Sequence, residues 1–162
     1  NVSLLVLLQQ IREAVDLPLI AAGGIMHGRN IAAVLAAGAC AAQLGTAFLR
    51  CPESGASPLH KNALIDPQFQ ATAVTRAFTG RPARGLVNRF LTEYDAFAPA
   101  AYPHIHHMTK PLRSVAAKAN DPQMMSLWAG QGHRLARNMP AQELVRELMK
   151  EMEEAVQGLI RK

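Results

Sequence analysis

Apolar side chains at Leu4, Leu5, Leu8, Ile11 and Val15 recur at three- and four-residue steps, so residues 2–15 are predicted to form a helix with one apolar face. Asp16-Leu17-Pro18 ends it. The period then shortens. Leu19–Ala22 is an unbroken apolar run halted by Gly23-Gly24, which marks a buried strand whose end bends sharply. Helical spacing returns from Arg29 to Ala37, with Ile31, Val34 and Leu35 on one face, and Gly38 is placed to stop that helix. Cys40–Phe48 predicts a second strand, and it carries Gly45-Thr46 to the same edge of the sheet as the two glycines.

Helix, strand, helix, strand at this spacing is the pattern of βα units, whose strands are parallel and whose crossovers are right-handed. A parallel sheet needs several strands and cover on both faces, so these two units belong to a barrel or a doubly wound sheet. Residues 51–58 read as a loop and Pro58–Ile65 as a short helix. Residues 72–87 read as an irregular pair of short strands around a Gly80-Arg81-Pro82 turn. Asn88–Ala96 is helical, FAPAAYPHIHH is too proline-broken for either element, and Pro111–Ala119, Pro122–Trp128 and Pro140–Ile160 are predicted helices.

Composition narrows the class. The 162 residues are 49% hydrophobic and 18% charged, which fits a globular α/β chain and neither a disordered nor a membrane-spanning one. The apolar stretch at the start is too short to cross a bilayer, and no membrane partner is expected. The net charge of +5 comes from dispersed Lys and Arg without interleaved aromatics, which favours small anionic ligands over nucleic acid. Cys40 and Cys51 have no CxxC spacing, so a reduced, cytoplasmic setting is expected.

Two strand ends carry the candidate chemistry. Paired glycines at the carboxyl end of a parallel strand leave amide N–H groups unobstructed, and the following helix brings its partial positive end nearby; both suit a phosphate. A tight turn that requires positive φ explains Gly23 and Gly24 equally well. Gly45-Thr46 adds a bare amide and a hydroxyl, and in (β/α)8 barrels the loops after the last two strands commonly build one phosphate site together. His104, His106 and His107 could crowd onto a metal ion, but no acidic or cysteine ligand stands at helix spacing beside them, and no metal is expected. His27 and His133 read as polar loop residues.

PLIAAGGIMHGRNIAAVLAAGACAAQLGTAFLRCPES resembles the phosphate-binding half of the FMN-dependent nitronate monooxygenases, class I. AFTGRPARGLVNRF, YPHIHHMTKPLR and LWAGQG resemble later segments of the same family in the same order, so the likeness runs from about Leu17 to Arg137. The resemblance implies the C-terminal part of a TIM (β/α)8 barrel: its last two βα units within residues 1–70, a lid-like substrate-side segment at 71–137 and a C-terminal helix at 138–162. It also implies FMN bound at Gly24, Gln43, Leu44, Gly45 and Thr46, with Gly23 adjacent. Tyr102 and Lys110 match positions that line the substrate pocket, and Gln131 in the flexible WAGQG stretch is a further candidate for the flavin.

The activity implied is oxidative denitrification of a small alkyl nitronate, such as propionate 3-nitronate, by O2 to a carbonyl compound and nitrite. An FMN-dependent NAD(P)H:quinone or enoyl reductase on the same scaffold, and a non-catalytic fragment, are the alternatives. The family's catalytic histidine lies in a GGHRG-like stretch upstream of the flavin strands, and this sequence holds no such stretch. The expectation is therefore a C-terminal portion of a longer enzyme, inactive alone and without a catalytic residue of its own, with a monomer and a dimer both open.

Overall fold

Among the described residues the parallel sheet has two strands. β1 (Ile20–Ala22) and β2 (Ala41–Gln43) run parallel, with Ile20 opposite Ala41, Ala21 opposite Ala42 and Ala22 opposite Gln43. A computed structural model describes residues 2–160 of the chain. Before β1 comes α1 (Leu4–Ala14), capped by Ser3, and between the strands lies α2 (Gly28–Ala36). Gly38 follows α2 at a φ of +99°, a left-handed value that glycine adopts without cost, so it ends the helix as its position predicts. The crossover order matches the predicted βα units, but β2 is shorter than expected. From Thr46 to Phe48 the chain turns into a 3-10 helix in place of continuing as a strand.

Two compact units divide the chain. The first comprises the residues through Gly55 together with those from Leu135 onward, and the second is Ala56–Arg134. In the first unit Leu8, Ala21, Ile25, Val34 and Ala39 form one cluster, and Cys51, Leu144 and Leu148 form another. The second cluster sits under α6 (Ala141–Ile160), the long helix predicted for the C-terminal part, whose first free amide, Ala141 N–H, points at both Glu53 carboxylate oxygens (3.0 and 3.1 Å). α6 runs so close to α2 that a Cβ added at Gly28 would lie 2.3 Å from the Leu148 carbonyl oxygen and 2.4 Å from the Met152 nitrogen. Cover is one-sided, however. Ile20 on β1 is 64% exposed, and of the predicted α1 stripe Leu8 is buried and Leu4 packed, whereas Leu5, Ile11 and Val15 face outward.

The second unit starts with α3 (Pro58–Ala63), then β3 (Thr72–Thr75) and β4 (Ala83–Leu86), the expected strand pair, antiparallel with Thr72 opposite Leu86. Gly80 in the connecting turn has φ +78°, and an added Cβ would meet Ala101 C at 2.7 Å. α4 (Arg89–Tyr94) is capped by buried Asn88: its Oδ1 accepts from Leu91 N–H at 3.1 Å, and its Nδ2 donates to the carbonyls of Pro122 and Met125 at 2.9 and 2.8 Å. Phe78 stacks on Phe90 at 4.6 Å and meets Trp128 edge-on at 5.5 Å, which makes the lone tryptophan part of this core.

Two expectations for this unit need correcting. The last four residues of the segment expected to be too proline-broken for either element, His104 to His107, instead open α5 (His104–Lys118), and Pro111 lies inside that helix in place of opening it. Only Pro99 and Pro103 precede the helix, where a missing N–H costs nothing. The predicted helix at Pro122–Trp128 is a 3-10 turn at Pro122–Met124, because Leu127 O accepts from Leu86 N–H at 2.9 Å and Trp128 bridges to Gly85, which holds the chain extended. Among the described residues no helix is long and apolar enough to cross a membrane.

Candidate functional site

The register of the parallel pair fixes where the two glycine tips fall. Gly24 stands two residues beyond Ala22 and Gly45 two beyond Gln43, and Ala22 and Gln43 are partners, so the tips leave adjacent strands at the same level. Gly23 and Gly24 have φ of +115° and +72°, and a Cβ built on either would meet no protein atom within 4 Å. Gly45 has an ordinary φ of −112° and also faces open space, so neither backbone conformation nor packing within the chain accounts for a glycine there. Gly23 and Gly24 line a depression of about 200 Å3 with Leu4 and Asn30. Gly45 lines a separate one of about 260 Å3 with Phe48 and Glu53. The N–H groups of Gly24 and Gly45 enter no hydrogen bond among the described residues.

The helix end behind the diglycine does something else. Gly28 N–H donates to Glu151 Oε2 at 2.8 Å, Arg29 N–H to His27 Nδ1 at 3.2 Å, and the amides of Asn30 and Ile31 to the His27 carbonyl. Every amide of the first turn of α2 is thus committed to a protein acceptor. The expectation that this helix end faces a phosphate is corrected by a carboxylate from α6, which already occupies the positive end. Arg137 Nη2 bonds the other oxygen, Glu151 Oε1, at 2.5 Å. Burial alone would raise the Glu151 pKa; the Gly28 amide, the Arg137 guanidinium and His27 together outweigh it and hold the carboxyl below its usual value.

Gln43 and Leu44, between β2 and Gly45, differ in what they offer. The Gln43 side chain is exposed, whereas that of Leu44 packs against the core, which leaves its backbone as the available contact. Thr46, the first residue of the 3-10 turn, is half-buried.

The other predicted residues belong to the second unit. Tyr102 is 57% exposed, with the Arg81 guanidinium 5.8 Å from its ring centroid and the His106 ring at 6.5 Å. Lys110 is exposed on α5, one turn beyond His106. Gln131 is exposed in the turn before a 3-10 helix at His133–Leu135. His133 itself is 2% exposed, and its Nδ1 donates to the Leu64 carbonyl at 2.7 Å; it is a buried anchor and not a loop residue. His60, which sequence reasoning passed over, is mostly buried, and desolvation lowers its pKa despite a 3.0 Å hydrogen bond from Nε2 to the Trp128 carbonyl.

The profile of the family described as nitronate monooxygenase matches residues 1–151. The chain belongs to the nitronate monooxygenase family. It is 46% identical over 142 residues to a nitronate monooxygenase of Pseudomonas aeruginosa, a match that spans 85% of this chain and 40% of that protein. It is 39% identical to a probable nitronate monooxygenase of Bacillus subtilis, over 93% of this chain and 44% of the relative. Among solved structures, a nitroalkane oxidase from Streptomyces ansochromogenes superposes with a TM-score of 0.96 at 65% identity, covering 98% of this chain and 46% of the other. FabK from Thermotoga maritima does so with a TM-score of 0.80 at 31% identity, over 98% and 51%. The chain thus spans less than half the length of the curated nitronate monooxygenases it matches.

For this nitronate monooxygenase family member, the structure brings Gly23, Gly24, Gln43, Leu44, Gly45 and Thr46 together at one edge of the parallel pair. Tyr102 lies beside His106 and Arg81, groups that sequence reasoning did not assign to a site. Glu151 was missed as well. It sits in a charged helix with Glu147, Glu153 and Glu154 and carries no local signal that sets it apart.

Proposed function

We propose that the chain supplies the phosphate-binding end of the FMN site in a nitronate monooxygenase. The observation that carries the reading is the pair of glycines at matched positions, Gly24 and Gly45, whose absent side chains face empty space on adjacent strand tips. Room of that kind, lined by unused amides, fits a phosphate group. The residues that would hold it are Gly23, Gly24, Gly45 and Thr46, with Gln43 and the Leu44 backbone along the flavin and Gln131 as an amide donor. The amides bind and orient; since Glu151 occupies the α2 terminus, the phosphate depends on these loops and not on that helix. The bound cofactor supplies electron transfer from the nitronate to O2, which leaves a carbonyl compound and nitrite. Tyr102 and Lys110 offer a phenol and an ammonium group to an anionic substrate such as propionate 3-nitronate.

The one-sided cover of β1 and β2 supports a further part of this reading: the pair is the last two βα units of a TIM barrel and works within a longer cytoplasmic enzyme. Open ladder edges and the outward Ile20, Leu5 and Ile11 are what neighbouring strands and helices would cover. Flavin-fluorescence titration of this chain, beside a nitrite-release assay with propionate 3-nitronate, tests it. Weak FMN binding without turnover is the expected result, and tight binding with turnover would sink the fragment reading. Absence of any FMN binding in a protein extended to the length of its relatives would sink the site. The likeness to FabK leaves room for an NAD(P)H-dependent reductase on the same scaffold. Rapid flavin reduction by NADH in that extended protein would favour it, whereas nitronate-dependent oxygen uptake without NADH favours the monooxygenase.

A further inference from the structure

One loop of the second unit has buried ends and an exposed middle. Ala129 is 5% exposed and His133 2%, whereas Gln131 between them is exposed. The backbone leading into the loop is held along β4: Leu86 N–H donates to the Leu127 carbonyl at 2.9 Å, and Ala129 N–H to the Arg84 carbonyl at 3.1 Å. Trp128, opposite Gly85, lies between those two bonds, and in an antiparallel pair the polar groups of such a residue point away from the partner strand. Its carbonyl must find a donor elsewhere. His60 supplies it, with Nε2 3.0 Å from that oxygen. At the far end His133 N–H closes a turn on the Gly130 carbonyl at 3.1 Å, and the His133 ring turns inward so that Nδ1 donates to the Leu64 carbonyl at 2.7 Å.

Both grips come from one short element. His60 lies in α3 and Leu64 is its C-terminal cap, one turn further on, where helix carbonyls lack an internal partner. A carbonyl only accepts, so the contacts fix the protons: Nε2–H at His60 and Nδ1–H at His133. Burial lowers the His60 pKa, which keeps that ring neutral with Nε2–H as its one proton. Between the two anchors the chain reads Gly130-Gln131-Gly132, a backbone that is costly to order unless its ends are held.

We propose that His60 and His133 are positioning residues that staple the two ends of the Trp128–His133 loop to α3 and so aim the Gln131 amide at the flavin. The proposal rests on the reading of Gln131 as a flavin contact and adds what holds it in place. Both rings act through the loop backbone, not by touching the ligand themselves.

Imidazole nitrogen NMR of the chain reads both protons, and the expected result is a protonated Nε2 at His60 and a protonated Nδ1 at His133. His60→Phe keeps a ring but removes the donor, so amide exchange at Ala129 and His133 should quicken about tenfold, the scale of one hydrogen bond, while Leu91 of α4 exchanges as before. His60→Gln, which keeps a donor at similar reach, restores most of the protection. His133→Asn, which keeps one near the Nδ1 position, exchanges more slowly at the same amides than His133→Ala. In the protein extended to the length of its relatives, His60→Phe and Gln131→Ala each weaken FMN about tenfold, and the double variant binds no more weakly than Gln131→Ala alone. A proton on the other nitrogen of either ring, or unchanged exchange at Ala129 and His133 in His60→Phe, overturns the staple. Additive losses in the double variant overturn the action through Gln131. FMN affinity unchanged by Gln131→Ala overturns the flavin reading of that residue and the aiming with it, whereas the proton positions and amide exchange, which use no flavin, decide the staple separately.

Discussion

The start of α2 in the first unit and the face of α5 in the second handle polar groups in opposite ways. At the start of α2 in the first, the side-chain charges are closed on one another: Glu151 takes the Gly28 amide and Arg137, and what remains open nearby is backbone at Gly24 and Gly45. Around α5 in the second, the side-chain cations Arg81, Lys110 and Arg113 face no carboxylate among the described residues, although Arg89 elsewhere in that unit pairs with Asp121. A site made of amides announces itself as missing side chains, and a site made of charges as missing counter-charges. The first kind suits a ligand held by its phosphate, and the second a ligand recognised by its own negative charge.

The sharpest way to break the contrast is to disturb the helix contact that commits Glu151 to α2. Gly28→Ala would place a methyl group against the backbone of α6, with the Leu148 oxygen at 2.3 Å and the Met152 nitrogen at 2.4 Å, and neither atom can rotate away. The expected loss is about 3 kcal/mol or more of stability, measured by denaturant unfolding, because two packed helices must separate. A loss below about 1 kcal/mol would show that α2 and α6 do not approach so closely. Gly80→Ala makes the same test in the second unit, where positive φ and the Ala101 carbon at 2.7 Å act together.

Next in size are substitutions at the strand tips. Gly24→Val at φ +72° is expected to weaken FMN binding by about 2 kcal/mol or more and to cost about 1–2 kcal/mol of backbone strain. Gly45→Ala separates the two effects, because its φ is ordinary and its Cβ meets nothing. Stability should stay within about 0.5 kcal/mol while FMN affinity falls about tenfold, read by fluorescence in the protein extended to the length of its relatives. Unchanged affinity in that variant would move the phosphate away from β2.

This contrast also explains what could be read in advance. Gly23, Gly24, Gly38 and Gly45 stood out in the sequence because glycine has few reasons to occupy such places, and the βα order follows from a change in hydrophobic period. The 3-10 turn at Thr46–Phe48 was hidden because TAF is apolar enough to extend a strand. The first turns of α5 are hidden because Pro99 and Pro103 read as breakers and Pro111 as a helix start, although here Thr109 Oγ1 anchors the helix to the Phe78 carbonyl at 2.6 Å. Glu151 and His60 could not be singled out at all. Each acts through a partner distant in sequence, and no local spacing encodes that.

The smallest effect expected is a difference in how the two units respond to acid. His60 has a folded pKa below the ordinary histidine value of 6.5, because burial disfavours the imidazolium more than the Trp128 carbonyl favours it. The unfolded chain then binds the proton more readily, so the second unit's stability is complete above 6.5 and falls as the pH drops from there. Glu151 has a folded pKa below 4.5, so its contribution to the first unit is complete above that value and is lost only as the pH falls further, through the folded pKa. Amide exchange followed against pH should therefore show amides of the second unit, such as Leu91, opening first between pH 6.5 and 4.5, with those of α2 and α6 holding until lower pH. His60→Phe should flatten the first phase and leave the second. Simultaneous opening of both units across the upper window would show that they unfold as one and that the acid sensitivity of the second is not its own.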